Sequence, residues 1–239
     1  MENSCLQSHP QYSLDITLRQ FATFETFVNP DDNELVSILK ELAKAGKEPR
    51  QYFLWGAAQT GKSHLLQAIC NQLSATSQKA VYLAFKDYKN LDLSVLNGLH
   101  QLDVICIDDI DQVLGKAEWD QALFHLINEL RTSNKSLVMT ATHNPGNANI
   151  SLPDLASRLV WGPVYKLNIL ADTQKQAAIQ LHAKARGFEV SSEVCSFLLR
   201  RYPRQLKKLI QLLEYLDEQS LIQQRKVTVP FVKLVLNGT

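Results

Sequence analysis

Short, nearly unbroken apolar runs alternate along the first two thirds of the chain with stretches in which apolar residues recur every three or four positions. Five runs stand out: QYFLW at 51–55, KAVYLAF at 79–85, VICID at 104–108, SLVMTAT at 136–142 and PVYKLNI at 163–169. Apolar runs of this length without polar alternation read as strands buried on both faces, the pattern of a parallel sheet covered by helices. The intervening stretches read as those helices. One is predicted from Asp31, with Asp31 and Asp32 as capping candidates, Leu35, Ile38, Leu39 and Leu42 on one face, and Gly46 as its stop. A second carries Leu65, Leu66, Ile69 and Leu73, and a third is predicted over 117–131.

After Ala171 the strand runs cease. Helices are predicted over 172–186, 191–201 and 203–222, the longest striped by Leu206, Leu209, Ile210, Leu213 and Leu216. A last helix is expected from Thr228, with Pro230 in its first turn, where proline is favoured. Residues 1–17 are polar, carry no stripe and read as a flexible tail.

Composition narrows the class. The 239 residues are 45% hydrophobic and 21% charged, enough apolar material for a sizeable core. No run is long enough to span a membrane, and the N-terminus lacks the basic start and apolar stretch of a secretory signal. A soluble, cytoplasmic protein is expected. Cys5, Cys70, Cys106 and Cys195 form no CxxC pair, the six histidines show no metal-ligand spacing, and there is no GxSxG elbow. Zinc, disulfide and serine-hydrolase chemistry are therefore not expected. The net charge of +1 argues against a general nucleic-acid binder, and DNA contact is expected to be indirect or weak. Charge is uneven, however: residues 1–170 hold 14 Lys+Arg against 18 Asp+Glu, and residues 171–239 hold 11 against 6.

The first strand–helix junction carries chemistry. Residues 56–63, GAAQTGKS, match GxxxxGK[ST] in full, with an apolar strand before and an amphipathic helix after. In such a loop Gly56 and Gly61 permit the tight turn that aims backbone amides at phosphate oxygens. Lys62 reaches the β- and γ-phosphates and Ser63 takes Mg²⁺. The run VICIDDID at 104–111 ends a buried strand in acids: Asp108 is placed to hold the Mg²⁺ shell, and Asp109 to orient an attacking water. An aspartate at 109, one methylene shorter than the glutamate common there, argues against vigorous hydrolysis by this chain alone. Thr142 reads equally as a sensor of the γ-phosphate or as a strand-terminal threonine. The expected fold is thus α/β, a P-loop NTPase with a five-stranded parallel sheet and a small C-terminal helical lid. Its expected parts are a tail over 1–20, a nucleotide-binding domain over 21–170 and the lid over 171–239, with ADP or ATP and Mg²⁺ as cofactors.

Taken in order, FATFETFVNP (21–30), the P-loop, IDDID, LPDLASRL (152–159) and RKVTVPFVKLVL (225–236) resemble the AAA+ core of the bacterial replication initiator DnaA, and most of all the short regulatory members of its family. The resemblance covers nearly the whole chain and implies several roles. Phe27 and Val28 line an adenine pocket. Arg158, by itself an ordinary surface arginine, becomes an arginine finger offered to a neighbouring subunit. Arg204, by itself part of a solvated basic face, becomes a sensor that touches the nucleotide bound in cis. QYSLDI at 11–16 resembles the Q-L-S-L-P-L type of peptide that docks on the bacterial DNA sliding clamp: Gln11, Ser13 and Leu14 match, Ile16 keeps an aliphatic, Tyr12 replaces leucine and Asp15 replaces proline. No helix-turn-helix domain is expected after Thr239, and no self-assembly domain before the tail.

The implied function is negative regulation of replication initiation, by promoting hydrolysis of DnaA-bound ATP at the DNA-loaded clamp. The partners are then the clamp and DnaA, with a homodimer also allowed and no membrane. Two other readings stay open: a self-assembling ATPase in its own right, and a helicase loader or DnaA-recruiting adaptor.

Overall fold

The computed structural model describes residues 18, 20–29, 33–44, 48 and 50–237. The peptide residues Gln11, Tyr12, Ser13, Leu14 and Ile16, the capping candidates Asp31 and Asp32, and the stop Gly46 lie outside the described residues. The regular elements are α1 (Asn33–Leu42), β1 (Gln51–Trp55), α2 (Lys62–Leu73), β2 (Ala80–Ala84), β3 (Val104–Asp108), α3 (Ala117–Thr132), β4 (Ser136–Ala141), α4 (Pro153–Leu159), β5 (Val164–Lys166), α5 (Asp172–Ala185), α6 (Ser192–Arg201), α7 (Leu206–Gln223) and α8 (Val229–Asn237).

The five strands form one parallel sheet in the order β2-β3-β4-β1-β5. Because successive side chains of a strand point to opposite faces, β3 divides its apolar residues between two cores. Ile105 and Ile107 join Phe53, Leu137 and Met139 under Leu123, Ile127 and Leu130 of α3. Val104 and Cys106 join Leu54 and Val138 under Leu65, Leu66 and Ile69 of α2 and Leu35 and Leu39 of α1. Cys70 and Cys106 are buried there as free thiols, the packing role expected of them.

Departures from the expected boundaries have local causes. β5 is three residues long and pairs only with β1, so it is an edge strand with one ladder to hold it. α7 starts at Leu206 rather than 203, after an extended N-cap at Gln205, and the extended Tyr202 before Pro203 ends α6. Between β2 and β3 the chain forms three short 3-10 turns that no apolar periodicity announced. No helix among the described residues is long and apolar enough to cross a membrane.

α5 to α8 close around a third core of their own, with Ile179, Leu198, Leu209, Leu213 and Val232 fully or almost fully buried. This bundle sits against the sheet domain through the segment before α1. The Arg186 guanidinium of α5 lies 4.0 Å from the Phe21 ring centroid, and His182 of α5 packs edge-on against His64 of α2 at 5.8 Å.

One buried carboxylate fixes the far side of the sheet domain. Asp120 of α3 is fully buried; its oxygens accept the backbone N–H of Gly115 at 3.0 Å and both the backbone N–H (2.7 Å) and hydroxyl (2.6 Å) of Ser151. It thereby joins α3 to the loop that leads into α4. Asp120→Ala strands two backbone donors inside the protein, and the expected loss of stability is about 2–4 kcal/mol in urea unfolding. Asp120→Asn, which keeps one acceptor, is expected to lose less.

Candidate functional site

β1 ends at Trp55 and the chain turns at once into the glycine loop, whose shape the neighbours impose. Gly61 sits at φ +94°, and a Cβ there would lie 2.5 Å from the Phe27 ring. A Cβ on Gly56 would lie 2.3 Å from the Leu167 carbonyl oxygen that follows β5. Only glycine meets both demands. The loop delivers Lys62 and Ser63 to the first turn of α2, where backbone N–H groups are unsatisfied and the helix dipole favours an anion. Lys62 is buried and donates from Nζ to the carbonyls of Gly56 (2.6 Å) and Ala57 (3.1 Å). Burial lowers its pKa, opposed by the charges of Asp109, Asp108 and Asp111.

Asp108, at the end of β3, is 2% exposed, and its carboxylate is held from both neighbouring strands. The Tyr82 hydroxyl of β2 donates to Oδ2 at 2.7 Å, and the Thr140 hydroxyl of β4 donates to Oδ1. The register puts Ile107 beside Met139, so Thr140 falls level with Asp108. Thr140 Oγ1 also accepts the Asp109 backbone N–H at 3.0 Å, fixing the left-handed turn at Asp109 (φ +55°). Burial and the Asp108 charge push the Tyr82 phenol up, so it stays protonated and donates. Ser63 and Gln67 lie close enough to the Tyr82 phenol to oppose that rise, which brings the P-loop hydroxyl and the strand-end acid to one place. One carboxylate and one hydroxyl that share a neighbour suit Mg²⁺, which keeps several waters and takes the rest of its shell from phosphate oxygens.

Burial, and next the Asp108 charge, raise the pKa of Asp109, against the pull of Lys62. Thr142 lies just beyond β4, and its backbone N–H donates to Asp111 Oδ2 at 3.2 Å. Phe27 stands against Gly61 and 5.6 Å from the His64 ring, with half-buried Val28 next in the chain. Arg204, 65% exposed, ion-pairs with Asp172 at 3.2 Å. It also lines a cavity of about 340 Å³ together with Ala58 and Gln59 of the glycine loop and Lys175 of α5. Phe27, Gly56, Gly61, Lys62, Ser63, Asp108, Asp109 and Arg204 thus gather around one end of β1.

Arg158 does not join them. Its carbonyl accepts a 2.6 Å hydrogen bond from the side-chain amide of Gln51, the first residue of β1, while the P-loop follows the last. At about 3.3 Å per residue the strand separates the two by roughly 13 Å. The half-buried Arg158 guanidinium instead lies 3.9 Å from the ring centroid of the partly exposed Trp161. Sequence reasoning missed Tyr82, Thr140, His64, His182 and Trp161. A polar side chain inside an apolar strand run was the available signal for the first two.

A strand–P-loop–helix unit, an acid closing the neighbouring strand of a parallel sheet, and a helical lid whose arginine borders the loop define a P-loop ATPase fold of the AAA+ class. The family model for the bacterial DnaA ATPase domain matches residues 18–166, and the model for the lid domain of Hda matches residues 172–236. The chain belongs to the DnaA family of AAA+ proteins and carries a lid of the Hda type. An uncharacterized protein of Haemophilus influenzae is 38% identical over 217 residues, 90% of this chain and 94% of that one. Domain III of the Thermotoga maritima replication initiation protein DnaA superposes with a TM-score of 0.75 at 25% identity, over 93% of this chain and 98% of that one. AMPPCP-bound DnaA from Aquifex aeolicus shares the fold, with a TM-score of 0.65 at 23% identity, over 82% of this chain and 66% of that one.

The seam between lid and site is sensitive to pH. His64 donates from Nε2 to the Thr23 carbonyl at 2.7 Å, while His182, 7% exposed, leaves its Nδ1 buried without a partner. Burial, then His64 and then Arg186, lower the His182 pKa to about 4. Between pH 6.5 and 4 the unfolded chain therefore binds the proton that the folded one refuses. The stability this group contributes is complete above about pH 6.5 and is lost as pH falls towards 4, by about 2–4 kcal/mol. Unfolding midpoints at pH 7.5 and 5 are expected to differ less in His182→Phe than in the wild type.

Proposed function

We propose that this chain binds ADP or ATP with Mg²⁺ and regulates replication initiation negatively, by promoting hydrolysis of ATP held by DnaA. The observation that carries this reading is the placement of Arg158 at the opposite end of β1 from its own P-loop. A guanidinium there is out of reach of the nucleotide in cis and free for one in a neighbouring subunit. An arginine supplied in trans stabilises charge developing on the transferred phosphoryl group, worth about 10³–10⁵ in rate.

The site fits the first half of the proposal. Phe27 and Val28 border the base, while the amides of the glycine loop and Lys62 hold the phosphates. Ser63 and Asp108 hold Mg²⁺, which when bound neutralises charge between the phosphates. For Lys62, engaging phosphate means exchanging two carbonyl partners for anionic oxygens. Arg204 and Lys175 of the lid line one cavity with Ala58 and Gln59 of the glycine loop, so occupancy of the loop would be felt by the lid. Asp109 and Thr142 would face water and γ-phosphate in the chain's own pocket, but an aspartate is one methylene shorter than the glutamate common there, and intrinsic turnover is accordingly weak. The likeness to an AMPPCP-bound DnaA supports the nucleotide, and the Hda-type lid supports DnaA as partner. Gln11, Tyr12, Ser13, Leu14 and Ile16 form the clamp-docking tether, which concentrates the domain at replicating DNA.

The test follows hydrolysis of radiolabelled ATP pre-bound to DnaA, with DNA-loaded clamp present and this protein added. Wild type is expected to accelerate the reaction. Arg158→Ala is expected to lose at least about a thousandfold of that acceleration, and Gln11→Ala with Leu14→Ala to lose the dependence on clamp. Unchanged hydrolysis with wild type refutes the proposal.

A further inference from the structure

The turn that follows α4 is held more firmly than a surface turn requires. Gln51 Nε2 donates to two successive carbonyls at the end of α4, those of Arg158 (2.6 Å) and Leu159 (3.3 Å). The Trp161 backbone N–H returns to the Arg158 carbonyl at 3.3 Å, and the Phe53 N–H takes the Pro163 carbonyl at 3.0 Å. Gly162 lies so close to β1 that a Cβ would stand 1.8 Å from the Gln51 oxygen. Trp161 is consequently fixed to the first strand of the sheet domain by backbone on both sides, even though 37% of its surface is exposed.

Two cations share its indole. The Cζ atoms of Arg158 and Arg131 lie 3.9 Å and 4.0 Å from the ring centroid, and Arg158 also lies 5.6 Å from the Phe124 ring. Arg158 Nε is buried and without a hydrogen-bond partner. No ion pair with a carboxylate is recorded for the Arg158 guanidinium among the described residues, so its position is set by stacking on aromatic faces. A carboxylate would neutralise the charge it offers; an aromatic face orients it and leaves it available.

We infer that Trp161 is the positioning residue of Arg158: a rigid aromatic seat, steadied from α3 by Arg131, that holds the guanidinium pre-aimed across the subunit edge. The inference rests on the reading of Arg158 as a finger acting in trans. A pre-aimed group spares the transition state the cost of ordering a long side chain, so losing the seat lowers the maximal rate without weakening the encounter.

The experiment is single-turnover hydrolysis of DnaA-bound ATP at DNA-loaded clamp, with full-length protein titrated through saturation. Trp161→Ala is expected to lower the maximal rate about tenfold to a hundredfold, while its half-saturating concentration stays within about twofold of wild type. Trp161→Phe, which restores a π face, is expected to recover most of the rate. If Trp161→Ala melts early, Trp161→Leu, which fills space without a π face, takes its place. A wild-type maximal rate in the Ala or Leu variant overturns the inference. So does a Phe variant as slow as Ala, or a defect confined to half-saturation, which makes Trp161 a docking contact instead. If wild type itself gives no acceleration, the finger reading fails and this inference falls with it. Acceleration by wild type together with an undiminished Trp161→Ala removes the seat alone.

Discussion

The candidate site depends on the carboxylate of Asp108, buried at the end of the central strands and held by one hydroxyl from each side. A buried charge is costly unless hydrogen-bonded, and here Tyr82 and Thr140 supply those bonds without neutralising it. Their hydroxyls also bind β2, β3 and β4 together at the level of the glycine loop. Thr140 passes the constraint on through the Asp109 N–H, which sets the turn where the remaining acids begin. Asp111 extends it to Thr142 just past β4. The acidic end of the sheet is therefore a hydrogen-bonded group of acids facing Lys62, whose ammonium interacts with all three.

Around that unit the domain has two working sides. On one, the segment carrying Phe21 and Phe27 is wedged between α2 and the lid, and two histidine rings and an arginine form the seam. Phe27 of this segment and Arg204 of the lid both border the glycine loop, so the seam and the loop share their neighbours. On the other side, Asp120 ties the loop after β3 to the loop before α4, while Gln51 ties the end of α4 to β1. Arg158 is thus carried on a helix anchored at one end to α3 and at the other to the sheet that holds Asp108. Its half-buried side chain is stacked on that scaffold rather than loose.

Most of the fold was legible in the sequence, because a buried parallel strand must be a short apolar run and a lid helix must show its stripe. The P-loop was legible for a stricter reason: its glycines, lysine and serine fall at fixed spacing within eight residues, although the contacts that demand Gly56 and Gly61 come from Leu167 and Phe27. Asp108 could be placed from its strand alone. Tyr82 and Thr140 could not, since their contacts depend on which strands are neighbours, and β4 lies between β3 and β1 although the chain visits it last of the three. Nor did any pattern single out Arg158. Only the family resemblance did, and nothing in the sequence singled out Trp161, three residues on. The short 3-10 turns over 85–101 escaped because they have no period long enough to read.

The proposed regulatory role is built on a Mg²⁺-nucleotide site formed by Lys62, Ser63 and the hydroxyl-held Asp108. Its test is calorimetric titration of ADP and ATP into the full-length protein, with and without Mg²⁺, in wild type and Asp108→Asn. The expected result is binding of both nucleotides by wild type, tightened by Mg²⁺, with the tightening lost in Asp108→Asn while metal-free binding persists. No nucleotide binding by wild type, or an undiminished Mg²⁺ effect in Asp108→Asn, contradicts it.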